Sequence, residues 1–298
     1  MAGEPVGVTT YAGPMTPDVV DFMSPDAPAR FTESLRTTGF AVVTNHPLSW
    51  ELVQSIYAEW SEFFTSGAAQ AYTVGPDNQE GYFPPTIAET AKGRQIRDLK
   101  EFFHVYPWSE MYPKEMSEDA LRYREIATDV ASTLLGWVDA HLPAEVSHRL
   151  SMPVAQMLEG NTRTLLRILR YPPLEGDVPD GAVRAAAHED INLLTVLPAS
   201  NESGLELLGA DGEWYAVPCD PGSIAVNCGE MLDLATDGYL PATTHRVVNP
   251  AGAAAHRARM SMPLFLAAAD DVMISDGKTA AELLAKRIAE LRSQDPTD

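Results

Sequence analysis

The chain has 298 residues, of which 45% are hydrophobic and 21% charged, a composition typical of a globular protein and unlike that of a disordered one. Forty-two acidic residues against 21 basic ones leave a net charge of -21, which argues against nucleic acid and anionic membranes as partners. Apolar runs are far shorter than the roughly 20 residues that a membrane span requires, and the first residues lack a signal-peptide pattern. We therefore expect a cytoplasmic protein in which Cys219 and Cys228 are reduced thiols.

The first half of the chain has mainly the pattern of helices. Apolar residues recur every three or four positions from Asp26 to Thr38 and from Ser49 to Thr65, which predicts two amphipathic helices. The short apolar run from Gly39 to Val43 between them predicts a strand. Further predictions are an extended arm up to Pro28, a loop from Gly67 to Gly93, a strand from Asp98 to Tyr106, a helix from Ser117 to Leu142 with Ser117 as its N-cap, and a helical turn within Ala144 to Leu150.

Short apolar runs bounded by Gly, Pro, Asp and Asn replace this pattern after about Arg163, and such runs are typical of strands. The predicted strands are Arg163 to Tyr171, Leu193 to Leu197, Gly204 to Leu208, Glu213 to Val217, Ser223 to Asn227, Thr243 to Val248 and Arg257 to Phe265. Because no helices separate them, an antiparallel sandwich or jelly roll is favoured over a parallel sheet. A final helix, Thr279 to Arg292, completes an α+β fold. We expect a single domain with a mainly helical region (1–160), a β core (161–270) and a C-terminal helix (271–298).

The tripeptide His188-Glu189-Asp190 carries the clearest chemical signal. In an extended strand, side chains two residues apart share a face, so the imidazole and the Asp190 carboxylate are predicted to converge, with Glu189 pointing away. His245, near another predicted strand, could supply a third ligand from across the barrel. Two imidazoles and one carboxylate form the facial triad favoured by non-haem Fe(II) oxygenases. The tripeptide alone is a weak signal, because a lone histidine is more often structural.

A second pair, Arg259 and Ser261, strengthens this interpretation. A guanidinium group is a planar fork suited to a carboxylate, and a neighbouring hydroxyl can add a further hydrogen bond. Fe(II) bound by Asp190 would carry a charge of +1, 2-oxoglutarate -2 and Arg259 +1. The buried assembly would therefore be formally neutral. The structural alternative is that Arg259 pairs with one of the many surface carboxylates.

Many further landmarks occur in one order along nearly the whole chain, and together they resemble the isopenicillin N synthase-like branch of the Fe(II)- and 2-oxoglutarate-dependent dioxygenases. They are Gly39-Phe40, Asn45-His46, Gly81-Tyr82, Asp98-Leu99-Lys100-Glu101-Phe102, Tyr171-Pro172-Pro173, Ala187-His188-Glu189-Asp190, Trp214, Val217-Pro218, Pro221-Gly222, Asn227-Cys228-Gly229-Glu230-Met231-Leu232, Thr244-His245-Arg246-Val247, Asn249-Pro250 and Arg259-Met260-Ser261-Met262-Pro263.

The resemblance implies a double-stranded β-helix, or jelly roll, with flanking helices. It implies Fe(II), 2-oxoglutarate and O2 as cofactor and cosubstrates, with oxidation of an unactivated C–H bond and release of succinate and CO2. The iron ligands and catalytic residues implied are His188, Asp190 and His245. Arg259, Ser261 and Tyr171 are the residues implied to bind the distal carboxylate of 2-oxoglutarate.

Three positions depart from the pattern of this family. Glu189 stands where Thr or Ser is usual, and Leu169 stands where plant members often have an Asn that contacts the cosubstrate. Glu230 replaces a more familiar Asp, and no role is assigned to it. These departures put in doubt the surroundings of the metal and one cosubstrate contact, but not the ligands themselves.

The substrate is expected to be a small amino acid or a natural-product intermediate, by family analogy alone. Phe102, His104 and Phe265 are candidate substrate contacts, although core packing would explain them equally well. The reaction could be hydroxylation, desaturation or ring closure, and the oligomeric state is left open. Alternatives are an iron oxidase or cyclase of the isopenicillin N synthase type that needs no 2-oxoglutarate, a non-catalytic barrel that binds a ligand, and a zinc hydrolase.

Overall fold

The structure, a computed structural model, describes residues 16–75, 79–86, 98–174, 183–275 and 277–292. Helices dominate the first part, and short strands lie between them. These elements are β1 (Val19–Asp21), α1 (Ala27–Thr38), β2 (Phe40–Thr44), α2 (Trp50–Thr65), β3 (Gly81–Phe83), β4 (Glu101–Val105), α3 (Asp119–His141) and α4 (Ala144–Ser147).

Strands dominate the second part, with one short helix among them and one long helix after them. These elements are β5 (Leu165–Tyr171), β6 (Ala185–His188), β7 (Leu194–Pro198), β8 (Leu205–Leu208), β9 (Trp214–Ala216), β10 (Ile224–Cys228), α5 (Glu230–Ala235), β11 (His245–Val247), β12 (Arg259–Ser261), β13 (Leu264–Leu266), β14 (Met273–Ser275), β15 (Lys278–Thr279) and α6 (Ala280–Arg292).

Two sheets carry the functional region. The major sheet has the order β1-β2-β10-β7-β13-β5-β4-β3, and β12 also pairs with β5. The minor sheet has the order β6-β11-β8-β9. Every strand pair in these sheets is antiparallel except β1 with β2. The predicted antiparallel arrangement of short strands is therefore confirmed for the described residues.

Two apolar clusters fill the molecule. The larger one packs α1, α2 and α3 against the outer face of the major sheet, with Trp60 and Phe103 among its fully buried rings. The smaller one lies between the sheets and joins Phe40 and Val42 of β2 to Leu207 of β8 and Val247 of β11. Alternation along the strands explains this division, because Phe102 faces the space between the sheets whereas its neighbour Phe103 faces the helices. The jelly roll thus has its own apolar interior between the two sheets, separate from the core that the helices form with the major sheet.

Several predicted elements differ from the structure in the first half. The segment predicted as an extended arm contains β1, which pairs with β2, although residues 1–15 lie outside the described residues. The predicted loop from Gly67 to Gly93 contains a 3₁₀ helix at Ala68–Tyr72 and also β3, while 76–78 and 87–93 are not described. Ser117 is not the N-cap of α3, because its hydroxyl donates to the Glu59 carboxylate and the capping position is Glu118.

The second half differs at one split strand and at four short elements. The strand predicted from Arg257 to Phe265 is two strands, β12 and β13, separated by Met262-Pro263, where proline has no N–H to donate to a ladder. The elements β6, α5, β14 and β15 were not predicted, because each is only two to six residues long. The final predicted helix agrees with α6, and 293–298 lie outside the described residues. Within the described ranges, no helix combines the length and apolarity needed to cross a membrane.

Gly39 joins α1 to β2 at a point where the chain approaches the metal-binding region. Its φ is 69°, a left-handed conformation that favours glycine, and its N–H donates to the carbonyl of Leu35 to end the helix. A Cβ atom at this position would lie 2.2 Å from Oγ1 of Thr243 and 2.6 Å from the carbonyl oxygen of Pro241. The absence of a side chain therefore allows α1 to end directly against the segment that leads to His245.

Gly39→Ala is expected to destabilise the protein more than Gly67→Ala, a matched control with φ of 82° and no atom within 4 Å of the added Cβ. The control carries only the cost of a left-handed alanine, about 1 kcal/mol, whereas Gly39→Ala must also displace Thr243. Urea unfolding of both variants measures the difference. Equal losses in the free energy of unfolding would show that the close approach has no energetic weight.

Candidate active site and metal centre

The two histidines are brought together by the pairing of β6 with β11. His188, the last residue of β6, lies directly opposite His245, the first residue of β11. The register shifts along this pair, so that Ala185 lies opposite Val247 and three residue steps on β6 face two on β11. This bulge places Ala185 and His188 on the inner face together. The two imidazole centroids are 4.4 Å apart as a result.

Asp190 joins them from a turn after β6, not from the strand itself. The sequence argument expected convergence because residues two apart in a strand share a face, but β6 ends at His188. The convergence is confirmed and its predicted cause is wrong. Oδ1 of Asp190 lies 3.8 Å from Nε2 of His188 and 3.8 Å from Nε2 of His245. Among the described residues this is the one group of three His, Cys, Asp or Glu side chains with ligand atoms within 4.8 Å of one another.

Backbone carbonyl groups fix the orientation of both imidazoles. Nδ1 of His188 donates to the carbonyl oxygen of Ala186 at 2.8 Å, and Nδ1 of His245 donates to that of Thr243 at 3.1 Å. A carbonyl oxygen can only accept, so these contacts assign the proton of each neutral ring to Nδ1. Both Nε2 lone pairs are then directed toward the Asp190 carboxylate and are available to a metal ion.

The Asp190 carboxylate is oriented by the major sheet. Its Oδ2 accepts hydrogen bonds from Oγ1 of Thr195 at 2.6 Å and from Nδ2 of Asn227 at 2.8 Å, while Oδ1 faces the imidazoles. Nδ2 of Asn192 donates to the Thr195 hydroxyl at 2.9 Å, which leaves the hydroxyl proton for Asp190. Thr195 and Asn227 are directly opposed on β7 and β10. These orienting residues were missed by sequence reasoning, although Asn227 belongs to a landmark quoted for the resemblance.

The start of α5 holds the turn that carries Asp190. The N–H of Glu230 donates to the carbonyl oxygen of Asp190 at 2.7 Å, and that of Met231 donates to the carbonyl oxygen of Asn192 at 3.1 Å. A Cβ atom on Gly229 would lie 2.1 Å from the Asn192 carbonyl oxygen. Glycine is therefore required at this position by close backbone contact. The carboxylate of Glu230 itself points to α6, where it binds Arg287 through both oxygens, at 2.6 and 2.7 Å.

The charges of the triad are set by its packing. Desolvation of the imidazole by the surrounding protein, although the side chain is 43% exposed, and the neighbouring His245 lower the pKa of His188 to about 4, and the Asp190 carboxylate only partly opposes them. Burial by itself would raise the pKa of Asp190, but the two imidazoles and the hydrogen bonds from Asn227 and Thr195 outweigh it and hold that pKa below its usual value. The site therefore presents a neutral His188 imidazole and an ionised Asp190 carboxylate at neutral pH, the forms that bind metal ions.

The triad opens to solvent on one side. The side chain of His188 is 43% exposed, whereas those of Asp190 and His245 are 5% and 9% exposed. Phe40 packs edge-on against His245, with ring centroids 5.4 Å apart, and closes the buried side. A metal ion held by the three ligand atoms would have protein on one side and an approach for small molecules on the other.

Arg259 and Ser261 lie on β12, next to Tyr171 of β5. Arg259 is directly opposite Tyr171 in the sheet, its guanidinium carbon is 5.3 Å from the phenol ring centroid, and the residue is 3% exposed. Its Nε donates to the carbonyl oxygen of Glu202, but its buried Nη1 has no hydrogen-bond partner in the described part of the chain. The alternative interpretation, an ion pair of Arg259 with a surface carboxylate, is not observed among the described residues. An unpartnered buried guanidinium nitrogen beside two hydroxyl groups fits the carboxylate of a dicarboxylic acid.

Phe102, His104 and Phe265, the predicted substrate contacts, surround a residue that sequence reasoning missed, Arg167. The guanidinium carbon of Arg167 lies 4.6 Å from the ring centroid of Phe102 and 5.4 Å from that of Phe265. His104 stacks on Phe102, accepts a hydrogen bond from Nε of Arg167 at 2.7 Å and donates from Nδ1 to the carbonyl oxygen of Gln79. Alternation along β5, counted back from Tyr171, could have identified Arg167 as facing inward.

A buried ion pair lies between these residues and the triad. Nζ of Lys100 is 2.9 Å from Oδ2 of Asp98, both side chains are 7% exposed, and Oδ1 of Asp98 accepts the N–H of Ala186 in β6. The pair thus braces the bulge that positions His188.

Glu189 points away from the triad, as predicted, and its carboxylate accepts a hydrogen bond from Thr244 at 2.8 Å. Leu169 is buried opposite Ser261 and offers no polar group.

Comparison with known proteins agrees with this geometry. The family model of the 2OG-Fe(II) oxygenase superfamily matches residues 163–268, and the N-terminal model of non-haem dioxygenases in morphine synthesis matches 18–126. A 2-oxoglutarate-dependent dioxygenase of Didymella fabae is 30% identical over 251 residues, which cover 72% of this chain and 71% of that protein. The chain belongs to the 2OG-Fe(II) oxygenase superfamily.

Two solved structures are similar over nearly their whole length. A Shewanella oneidensis protein classed as an oxygenase is 46% identical, with a TM-score of 0.83, and the match covers 93% of this chain and 99% of that one. A Caulobacter crescentus protein classed in the 2OG-Fe(II) oxygenase family is 29% identical, with a TM-score of 0.74, covering 92% and 98%. The predicted jelly roll is confirmed. The protein is a non-haem dioxygenase that uses Fe(II) and 2-oxoglutarate, and small-molecule substrates are typical of this superfamily.

Thr195→Val is expected to weaken Fe(II) or Co(II) binding by about 10- to 100-fold, because the substitution removes a hydrogen bond that orients Asp190. Thr32→Val is a matched control, since Thr32 is equally buried and its hydroxyl donates within α1. Metal titration under anaerobic conditions measures both. Identical affinities for Thr195→Val and the wild type would show that Asn227 alone orients the carboxylate.

The metal-free protein is expected to lose stability as the pH falls from about 6.5 to about 4. The pKa of His188 lies near 4 in the folded state against 6.5 as its ordinary value, so the unfolded chain takes up a proton first over this range. Urea unfolding at several pH values checks this, and His188→Gln should flatten the profile. His148→Gln, at an exposed position, is the control and should leave the pH profile unchanged. A profile that His188→Gln leaves unchanged would contradict the lowered pKa.

Proposed function

We propose that His188, Asp190 and His245 bind Fe(II) and that Arg259, Ser261 and Tyr171 bind the distal carboxylate of 2-oxoglutarate. The observation that carries the proposal is the convergence of three ligand atoms within 4.8 Å, with Nδ1 of each imidazole and Oδ2 of the aspartate already engaged by protein groups. Preorganised ligands of this kind lose little entropy when the metal binds. Three ligands on one side leave coordination positions open for the cosubstrates.

When Fe(II), 2-oxoglutarate and O2 are bound, oxidative decarboxylation to succinate and CO2 supplies the oxidising power for cleavage of a substrate C–H bond. The residues of the chain then have to orient the metal ligands and to exclude water from the centre. Thr195 and Asn227 keep the Asp190 carboxylate in one rotamer, and the carbonyl groups of Ala186 and Thr243 keep both imidazoles in one tautomer. The apolar cluster between the sheets excludes water from the buried side of the centre.

For the substrate, we propose a small molecule that carries a carboxylate, such as an amino acid or an acidic natural-product intermediate. Phe102, His104 and Phe265 line its pocket, and Arg167 supplies a cation held over two aromatic rings. His104 acts on the substrate through Arg167, because both of its ring nitrogens are already engaged. The net charge of -21 supports a small-molecule substrate and not a nucleic acid or an anionic membrane.

The whole chain is proposed to act as a single oxygenase domain. The N-terminal region contributes β2 and β4 to the major sheet, where they pair with β10 and β5 of the core region. The thiols of Cys219 and Cys228 are free, which supports a reducing, cytoplasmic location.

Titration of the Fe(II)-loaded enzyme with 2-oxoglutarate under anaerobic conditions tests the site, with the weak visible metal-to-ligand band as the signal. Arg259→Met is expected to raise the dissociation constant of 2-oxoglutarate by about 10- to 100-fold, the value of a charge-assisted hydrogen bond. Arg246→Met is the control, since Arg246 lies on β11 and pairs with Glu206 instead. Asp190→Ala should abolish the band and turnover by weakening metal binding.

The same preparation identifies the substrate. Amino acids and related small carboxylates are added to the anaerobic complex, and a compound that shifts the band is then tested with O2 for one succinate per product. Unchanged 2-oxoglutarate binding in Arg259→Met would refute the cosubstrate site. Full activity of metal-reconstituted Asp190→Ala would refute the ligand assignment.

A further inference from the structure

We propose that Arg184 is a second guanidinium group, in addition to Arg259, for the distal carboxylate of 2-oxoglutarate, and that it sets the preference for a dicarboxylic 2-oxo acid. This inference rests on the proposed cosubstrate site and adds a residue to it. Arg184 lies immediately before β6, four residues ahead of His188. No motif of the sequence drew attention to it.

Arg184 is one of the largest fully buried side chains of the described protein, at 0% exposure. Its Nη2 donates to the carbonyl oxygen of Arg257 at 2.9 Å, and its backbone N–H donates to Oδ1 of Asn249 at 2.9 Å. Nε and Nη1 are buried without a hydrogen-bond partner among the described residues. A buried charged group with two unsatisfied donors is costly unless a ligand accepts from it.

The second observation is the position of Arg184 beside β12, because its Nη2 bonds to the carbonyl oxygen of Arg257, two residues before Arg259. In agreement with this position, burial and the nearby charge of Arg259 both lower the pKa of Arg184, while Tyr171 and Glu202 partly oppose them. Arg259 is itself buried with Nη1 unpartnered. Two adjacent buried guanidinium groups repel each other, and an anion that both can contact removes this repulsion.

No carboxylate of the described chain takes that place. Glu202 is the nearby acidic residue, but its carboxylate accepts hydrogen bonds from Arg257, at 2.5 and 3.1 Å. This hydrogen bonding is the main cause that lowers the pKa of Glu202, and the charges of Arg184 and Arg259 contribute less. Arg257 is 57% exposed at its side chain, so this pair lies at the rim. Within the described ranges, neither Arg184 nor Arg259 is in a salt bridge with any side chain. The two buried cations are thus left for a ligand.

The chemistry of the ligand follows from this arrangement. A carboxylate has two oxygens, so one can accept from Arg184 and the other from Arg259, with the hydroxyl groups of Ser261 and Tyr171 available to either. Leu169, opposite Ser261, contributes no polar group, so the strength of this contact has to come from charged donors. A 2-oxo acid that ends in a methyl group would leave both guanidinium groups buried and unpaired.

The test compares 2-oxoglutarate with 2-oxopentanoate, which has a methyl group in place of the distal carboxylate. Dissociation constants for both are measured on the Fe(II)-loaded full-length protein under anaerobic conditions, for the wild type and Arg184→Met. Arg184→Met is expected to weaken 2-oxoglutarate about 10- to 100-fold and to leave 2-oxopentanoate within about threefold, so that the preference between them collapses. Arg246→Met, which removes a partly exposed arginine that pairs with Glu206, is the control and should leave the preference unchanged.

Each outcome has a distinct meaning. Equal weakening of both 2-oxo acids in Arg184→Met, or no weakening of either, would overturn the role of Arg184 while leaving the effect of Arg259→Met intact. Unchanged binding in Arg259→Met would instead overturn the cosubstrate site itself. If Arg184→Met does not fold, Arg184→Lys serves, since it keeps the charge and loses the planar fork. A preference reduced at least threefold in Arg184→Lys supports the proposal, and an unchanged preference overturns it.

Discussion

The need to hold an ionised carboxylate between two neutral imidazoles determines the organisation of this oxygenase. Asp190 receives its orienting hydrogen bonds from Thr195 and Asn227 in the major sheet, whereas His188 and His245 face each other in the minor sheet. The metal centre is therefore assembled from both layers of the jelly roll. Any change in the spacing of the sheets changes the distance between the carboxylate and the imidazoles, so the apolar cluster between the sheets also controls the geometry of the centre.

Sequence patterns predicted the fold well wherever a segment was long or had a clear period. The amphipathic helices α1, α2 and α3 and most core strands agree with their predicted ranges within a few residues. Short elements such as β6 and α5 carry too few residues to show a period, and their positions depend on contacts with distant parts of the chain. The identities of the triad residues were predicted, but the bulge that positions them was not, since it depends on the register with β11.

The groups around the triad show the same limit. Thr195 and Asn227 lie 32 residues apart in the chain, and only the pairing of β7 with β10 reveals that both bond to Asp190. Arg184 likewise becomes a candidate ligand-binding residue only because it is completely buried near Arg259, which a single sequence does not show. A ligand motif is local and can be seen in the chain, whereas the residues that orient it are assembled by tertiary structure.

Charge is distributed unevenly in this protein. The chain carries a net charge of -21, yet two arginines without an ion-pair partner in the described structure lie buried beside Tyr171. With Arg184 included, the cosubstrate assembly has one positive charge more than the neutral count based on Arg259 alone. The net negative charge of the chain offsets this excess at long range.

The ion pair of Glu230 with Arg287 gives the last helix a part in the stability of the centre. Arg287 on α6 binds both carboxylate oxygens of Glu230, and the backbone N–H of that same glutamate bonds to the carbonyl oxygen of Asp190. Proteolytic loss of α6 would leave a largely buried carboxylate without its counterion, on a residue whose backbone N–H bonds directly to Asp190. The C-terminal helix, although remote from the triad in the chain, is thereby connected to the backbone that carries the carboxylate ligand.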